Sequence, residues 1–155
     1  MASVETGERW VEVQGVVFSD LGLARGFMSL EWARRAMQEK IGFDPYPGTL
    51  NLRVARDDAL RRWKAVQEKL APVVVPSPDP SFCSSHYFMG FLTGWKGSNG
   101  LRERIAVVVP EIKEYPADKI EVIAARALKA TYPIRDGDEL TLVFECGVGQ
   151  RRERG

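Results

Sequence analysis

The chain has 155 residues, 45% hydrophobic and 28% charged, a composition that supports one folded domain and excludes global disorder. Lys and Arg number 22 against 21 Asp and Glu, a net charge of +1. That balance gives no bulk drive toward nucleic acid or an anionic membrane surface. Two cysteines, Cys83 and Cys146, cannot staple a chain of this size. Together with the single His86 they show no CxxC or HxxxH spacing that would argue for zinc. The N-terminus carries Glu5 and Glu8 where a signal peptide needs bases and then an apolar run, and no segment nears the roughly 18 apolar residues of a membrane span. A soluble, reduced, cytoplasmic protein without membrane or nucleic-acid partners is expected, as a monomer.

Residues 10–18 mix alternating and β-branched apolar residues, which predicts a strand with Gly15 as a candidate bulge. Ser19 to Gly26 is small and polar and reads as a loop. Ser29 can cap a helix over about 30–40, with Ala33, Ala36, Met37 and Ile41 on one face and Gly42 ending it. Phe43-Asp44-Pro45-Tyr46-Pro47-Gly48 forbids a helix and predicts a rigid turn into a short strand. On that strand Leu50 and Leu52 point one way, Thr49 and Asn51 the other. A helix over 57–70, capped by Asp57, carries Leu60, Trp63, Val66 or Gln67, and Leu70 at helical spacing.

Residues 71–82 hold four prolines and read as a loop, or as a short strand at 73–75. Strands over 87–95 and 102–109 flank Lys96-Gly97-Ser98-Asn99-Gly100, a hairpin signature. Ile120 to Ile123 reads as a strand, 124–131 as one or two helical turns, and Asp136-Gly137-Asp138 as a tight turn into a last strand over 139–146. Residues 1–8 and 147–155 are expected to fray around a core at about 9–146. Several short strands with few helices argue for a mainly β, single-domain barrel decorated by helices, and against a doubly wound sheet.

No GxxxxGK[ST] occurs, which removes the simplest P-loop explanation. Leu21-Gly22-Leu23-Ala24-Arg25-Gly26 follows a strand and precedes a helix. Its small residues could let backbone N–H groups approach a phosphate, with Arg25 as counter-charge; taken in isolation, an ordinary strand-to-helix connection is the favoured reading. Thr49 and Asn51 offer neutral oxygen donors on one strand face. They suit magnesium when substrate phosphates supply the anions, and they also suit plain turn-to-strand chemistry. Glu121 lies opposite Ile120 and Val122 in the strand alternation, either solvated or free to accept hydrogen bonds from a ligand. His86 has no Ser or Asp partner at a recognisable spacing and reads as structural.

Taken together, residues 15–30, the run Ile41-Gly42-Phe43-Asp44-Pro45-Tyr46-Pro47-Gly48-Thr49-Leu50-Asn51-Leu52, then 106–110, 120–124 and 134–138 resemble the CTP-dependent riboflavin kinases of archaea. The proline turn is the most specific of these motifs, and the similarity runs from about 13 to 144. The resemblance implies a closed six-stranded cradle-loop β-barrel that moves the γ-phosphoryl group of CTP to the 5′-hydroxyl of riboflavin, giving CDP and FMN. It implies nucleotide contacts from Asp20, Leu21, Gly22, Leu23, Ala24 and Arg25 and from Arg126, Ala127, Leu128 and Lys129. It implies nucleotide-bound Mg2+ on Thr49 and Asn51, and flavin contacts from Lys113 and Glu121. Three departures stand out: Asp20 and Ala24 where the family favours glycine, Lys113 where it often has threonine, and Ala127-Leu128-Lys129 in place of a Lys-Leu-Arg type run. A non-catalytic nucleotide- or flavin-binding barrel is the alternative reading; a DNA-binding barrel comes third, opposed by the +1 charge.

Overall fold

The computed structural model describes residues 9–19, 31–76 and 84–146. Seven strands occur among them: β1 (Trp10–Phe18), β2 (Leu50–Arg53), β3 (Val73–Val75), β4 (Ser85–Gly94), β5 (Glu103–Pro110), β6 (Lys119–Ala124) and β7 (Glu139–Glu145). Three helices accompany them: α1 (Glu31–Ile41), α2 (Asp57–Lys69) and the single turn α3 (Leu128–Thr131). All strand pairings are antiparallel. The order β4-β5-β6-β2-β1-β7 closes on itself through β4–β7, giving a six-stranded barrel, and β3 adds to the edge of β4 that β7 leaves open.

Strand alternation fills the barrel. Val11, Val13 and Val17 of β1, Leu50 and Leu52 of β2, Ile105 and Val107 of β5, Ile120 and Val122 of β6 and Leu140, Leu142 and Phe144 of β7 form one buried cluster. Helix α2 adds Ala59, Trp63 and Val66 to it, and the Trp63 ring lies 5.7 Å from both Phe88 and Phe144. A second cluster lies outside the barrel wall, where Ala33, Met37 and Ile41 of α1 cover Val75, Tyr87, Ala106 and Ile123. Strands β5 and β6 are thus buried on both faces, which is why 105–108 and 122–124 are continuous apolar runs rather than alternating ones.

Two sequence expectations need correction. Gly15 is not a bulge: β1 pairs with β7 in unbroken register through Gly15↔Leu140. A Cβ at Gly15 would stand 2.9 Å from Leu52 Cβ, so the glycine serves a close approach of β1 and β2 inside the barrel. The register shift in the sheet falls instead between Leu92 and Gly94 of β4. Nor does Asp57 cap α2. Arg56 holds the cap position without a side-chain bond, its carbonyl accepting from Leu60 N at 2.9 Å, while Asp57 and Asp58 sit in the first turn, where acids favour the helix dipole. Elsewhere the elements agree. Gly42 (φ 86°) ends α1 with its N–H on Gln38 O, and Gly97, Asn99 and Gly100 take positive φ in the β4–β5 hairpin. The Ser29 cap, Cys83 and both chain ends lie outside the described residues.

Candidate active site at one end of the barrel

Sheet register sets the site. Phe18 of β1 pairs with Asn51 of β2, Asn51 with Glu121 of β6, and Glu121 with Val108 of β5, a single row across four strands. The proline turn enters this row rigidly. Gly48 has φ 135°, a backbone state costly for any residue with a Cβ, and Tyr46 N–H donates to Ala124 O at 2.8 Å, pinning the turn to the end of β6. Thr49 and Asn51 therefore share a face, and Thr49 Oγ1 lies 3.2 Å from Asn51 Oδ1. The same hydroxyl is 3.5 Å from Glu121 Oε1, so its one proton serves either acceptor.

Glu121 is not the solvated strand residue that alternation alone allows. Its side chain is only 14% exposed, the Tyr115 hydroxyl donates to Oε2, and Lys119 Nζ stands 4.0 Å from the same oxygen. Asn51 is more buried than its polar character suggests, at 8%. Lys113, the other expected flavin contact, is exposed on the β5–β6 loop; the residue of that loop that reaches Glu121 is Tyr115. Tyr115 escaped sequence reading because its partner is fixed by the path of the loop, not by a spacing.

A cleft of about 270 Å³ opens beside this row. It is lined by Tyr46, Gly48, Thr49 and Leu50 from the proline turn and β2, by Val122 and Ala124 of β6, and by 126–130. The structure thus brings Arg126, Ala127, Leu128 and Lys129 into the same cleft as Thr49. Leu128 anchors its segment in the core, leaving Arg126 and Lys129 exposed. Arg126 Nε lies 3.3 Å from Glu103 Oε2, while Glu103 Oε1 accepts from the Tyr132 hydroxyl at 2.6 Å. That bond to a carboxylate, reinforced by burial, pushes the Tyr132 phenol above its ordinary range. Lys129 Nζ lies 2.6 Å from Asp136 Oδ1 and 3.4 Å from Ser19 Oγ, and Ser19 Oγ donates to Asp136 Oδ2 at 2.6 Å. The Lys129 bond first, and the Ser19 bond second, hold the Asp136 carboxyl below the usual aspartate value.

Asp20, Leu21, Gly22, Leu23, Ala24 and Arg25 lie outside the described residues; Ser19, just before them, belongs to the Lys129–Asp136 cluster. His86 stands apart from the site, its Nε2 2.6 Å from Glu111 Oε2. Among the described residues no three His, Cys, Asp or Glu side chains gather as a metal group. Thr49 and Asn51 are nonetheless all-oxygen donors beside a carboxylate, and such a set fits a magnesium ion that keeps waters and substrate phosphates as its remaining ligands.

The closed antiparallel barrel thus carries a cleft in which the Thr49 hydroxyl lies with two basic side chains, Arg126 and Lys129. The family model for CTP-dependent riboflavin kinases, also described as domain of unknown function DUF120, matches residues 17–144, and the chain belongs to that family. It is 34% identical over 132 residues to a riboflavin kinase of Archaeoglobus fulgidus, covering 84% of this chain and 53% of that protein. A riboflavin kinase of Pyrobaculum islandicum is 33% identical over 132 residues, with 85% and 59% covered. One from Saccharolobus solfataricus is 28% identical over 132 residues, with 85% and 73% covered. The chain spans little more than half the length of the first two. No helix among the described residues is long and apolar enough to cross a membrane.

Proposed function

We propose that this barrel is a magnesium-dependent riboflavin kinase that uses CTP. The observation that carries the reading is that Thr49 lines one cleft with Arg126 and Lys129 while its hydroxyl stands 3.5 Å from Glu121. Groups expected on the donor side and on the acceptor side would then lie around one hydroxyl; relatives named riboflavin kinase support riboflavin phosphorylation, and the family's name supports CTP as donor.

In the reaction the ribityl 5′-oxygen bonds to the γ-phosphorus, the γ-phosphorus bond to the β–γ bridging oxygen breaks, CDP departs with that oxygen, and the hydroxyl proton passes to solvent water. Phosphoryl transfer asks mainly for in-line positioning and charge neutralisation. Arg126 and Lys129 supply positive charge in the cleft, each held by a carboxylate, Glu103 and Asp136. Segment 20–25 would add backbone and Arg25 contacts to the nucleotide. Thr49 and Asn51 would hold magnesium, which when bound neutralises phosphate charge and orients the triphosphate. Glu121 would accept hydrogen bonds from flavin, and Lys113, exposed on the β5–β6 loop, would meet the phosphate of FMN.

The test is direct: purified protein, riboflavin, Mg2+ and each nucleoside triphosphate in turn, with FMN resolved by chromatography. FMN formed with CTP above all other donors is the expected result. No FMN with any donor overturns the kinase, and binding of riboflavin or CTP without turnover would leave the non-catalytic barrel in its place.

A further inference from the structure

Glu121 is held before any ligand arrives. A carboxylate offers about four acceptor positions. The Tyr115 hydroxyl takes one on Oε2, and Thr49 Oγ1 lies near another on Oε1. Tyr115 comes from the β5–β6 loop, Thr49 from the proline turn, and Glu121 from β6 between them. The tyrosine is itself positioned, its ring 5.7 Å from Lys119 Nζ, with Lys119 on the same face of β6 as Glu121. Glu111 N–H donates to Ser84 O at 2.9 Å and Tyr115 N–H to Ile112 O at 3.1 Å, so both the start and the middle of the loop are tied down.

We infer that Tyr115 is a positioning residue for flavin binding: its hydroxyl fixes the Glu121 carboxylate with one edge toward Thr49 and the remaining acceptor positions toward the ligand. The inference rests on the riboflavin reading of the site. A glutamate loses substantial rotamer freedom when a ligand fixes it, and one already clamped by a tyrosine has lost it beforehand. Tyr115 need not touch flavin. Its contribution is to riboflavin affinity rather than to the transfer step, and it is spent through Glu121 alone.

Riboflavin fluorescence titrations on the full chain test this with four proteins: wild type, Tyr115→Phe, Glu121→Gln and the double variant. Tyr115→Phe keeps the ring and removes only the hydroxyl. It should weaken riboflavin about five- to tenfold, in line with the cost of ordering one freed glutamate side chain on binding. The double variant should bind no more weakly than Glu121→Gln alone, because the two side chains act as a unit. KM for riboflavin should rise with kcat retained, and CTP protection against heat, read as the shift from each protein's own ligand-free melting temperature, should match wild type. A purely structural tyrosine would instead weaken riboflavin and CTP alike. Unchanged riboflavin affinity in Tyr115→Phe, additive losses in the double variant, or an equal loss of CTP protection would each overturn the inference. A wild-type protein that binds no riboflavin overturns the function itself, and shows it before any variant is compared.

Discussion

Two seams of this barrel use the same antiparallel hydrogen bonding for opposite ends. At the β4–β7 seam the strands approach over glycine. A Cβ on Gly90 would stand 2.5 Å from Val143 O and 2.7 Å from the Phe144 ring, and one on Gly94 would stand 2.9 Å from Thr141 Cβ. Trp63 of α2 packs on Phe88 and Phe144 there, inside the main apolar cluster. At the β2–β6 seam the interior face is equally apolar, with Leu50, Leu52, Ile120 and Val122, yet the outer face carries Asn51 against Glu121. What separates them is that the first places size limits on its side chains and the second places chemical ones, so stability and activity should fail at different seams.

The largest effect is expected at the first seam. Trp63 is 1% exposed and touches both closing strands, so Trp63→Ala should destabilise by about 3–5 kcal/mol, as for other buried aromatic truncations. Chemical denaturation would check it. A loss below about 1 kcal/mol would mean that α2 does not hold the closure together.

Thr49→Ala attacks the other seam. It should cost about 3 kcal/mol of barrier, roughly a hundredfold in FMN formation, by removing one oxygen donor to a magnesium that neutralises transferring charge. Asn51→Ala should act alike. The Thr49 variant's unfolding midpoint should stay near wild type, since the hydroxyl faces away from the core. Equal loss of rate and stability would erase the division of labour between the seams.

How much of this was open to sequence reading follows the same division. The turn Pro45-Tyr46-Pro47-Gly48 announces itself, because proline and glycine act locally, and strand alternation after it puts Thr49 and Asn51 on one face. The helical face of Trp63 and Val66 and the hairpin at Gly97 and Gly100 were legible for the same reason. Gly15 was misread because bulge and close approach look identical until Leu52 of another strand comes alongside. The Asp57 cap failed by one residue, since Arg56 also precedes an acidic first turn and only backbone geometry distinguishes the two. Tyr115 and the Ser19–Asp136–Lys129 cluster are tertiary contacts, between residues up to 117 apart, and no local pattern encodes them.

Gly90→Ala sharpens the first seam at smaller scale. The added methyl meets a backbone carbonyl, which cannot swing aside as a side-chain end can, so overpacking should cost about 1–3 kcal/mol. Its FMN formation per folded molecule should be unchanged. Wild-type stability would show that the seam can widen, and would remove the size limit from the comparison.

The smallest effect concerns the cluster that joins the end of β1 to the basic segment of the cleft. Asp136 is held below its ordinary value, first by the Lys129 bond and then by Ser19. A carboxyl depressed in the folded state stabilises above its unfolded value, and that stabilisation drains away as pH falls through the folded value. Lys129→Met keeps a long apolar stem and removes the charge, so it should melt slightly below wild type at neutral pH. The gap should close under strongly acidic conditions, below the ordinary aspartate range, where Asp136 is protonated in both proteins. Added salt should also narrow it, because the pair is exposed, with side chains 42% and 52% accessible. Melting curves across the acid range at two salt concentrations measure both trends. A gap that persists unchanged into acid would mean that the Lys129 ammonium stabilises through a partner other than the Asp136 carboxylate, such as Ser19 Oγ, 3.4 Å from its Nζ. The basic segment would then not depend on this ion pair for its position.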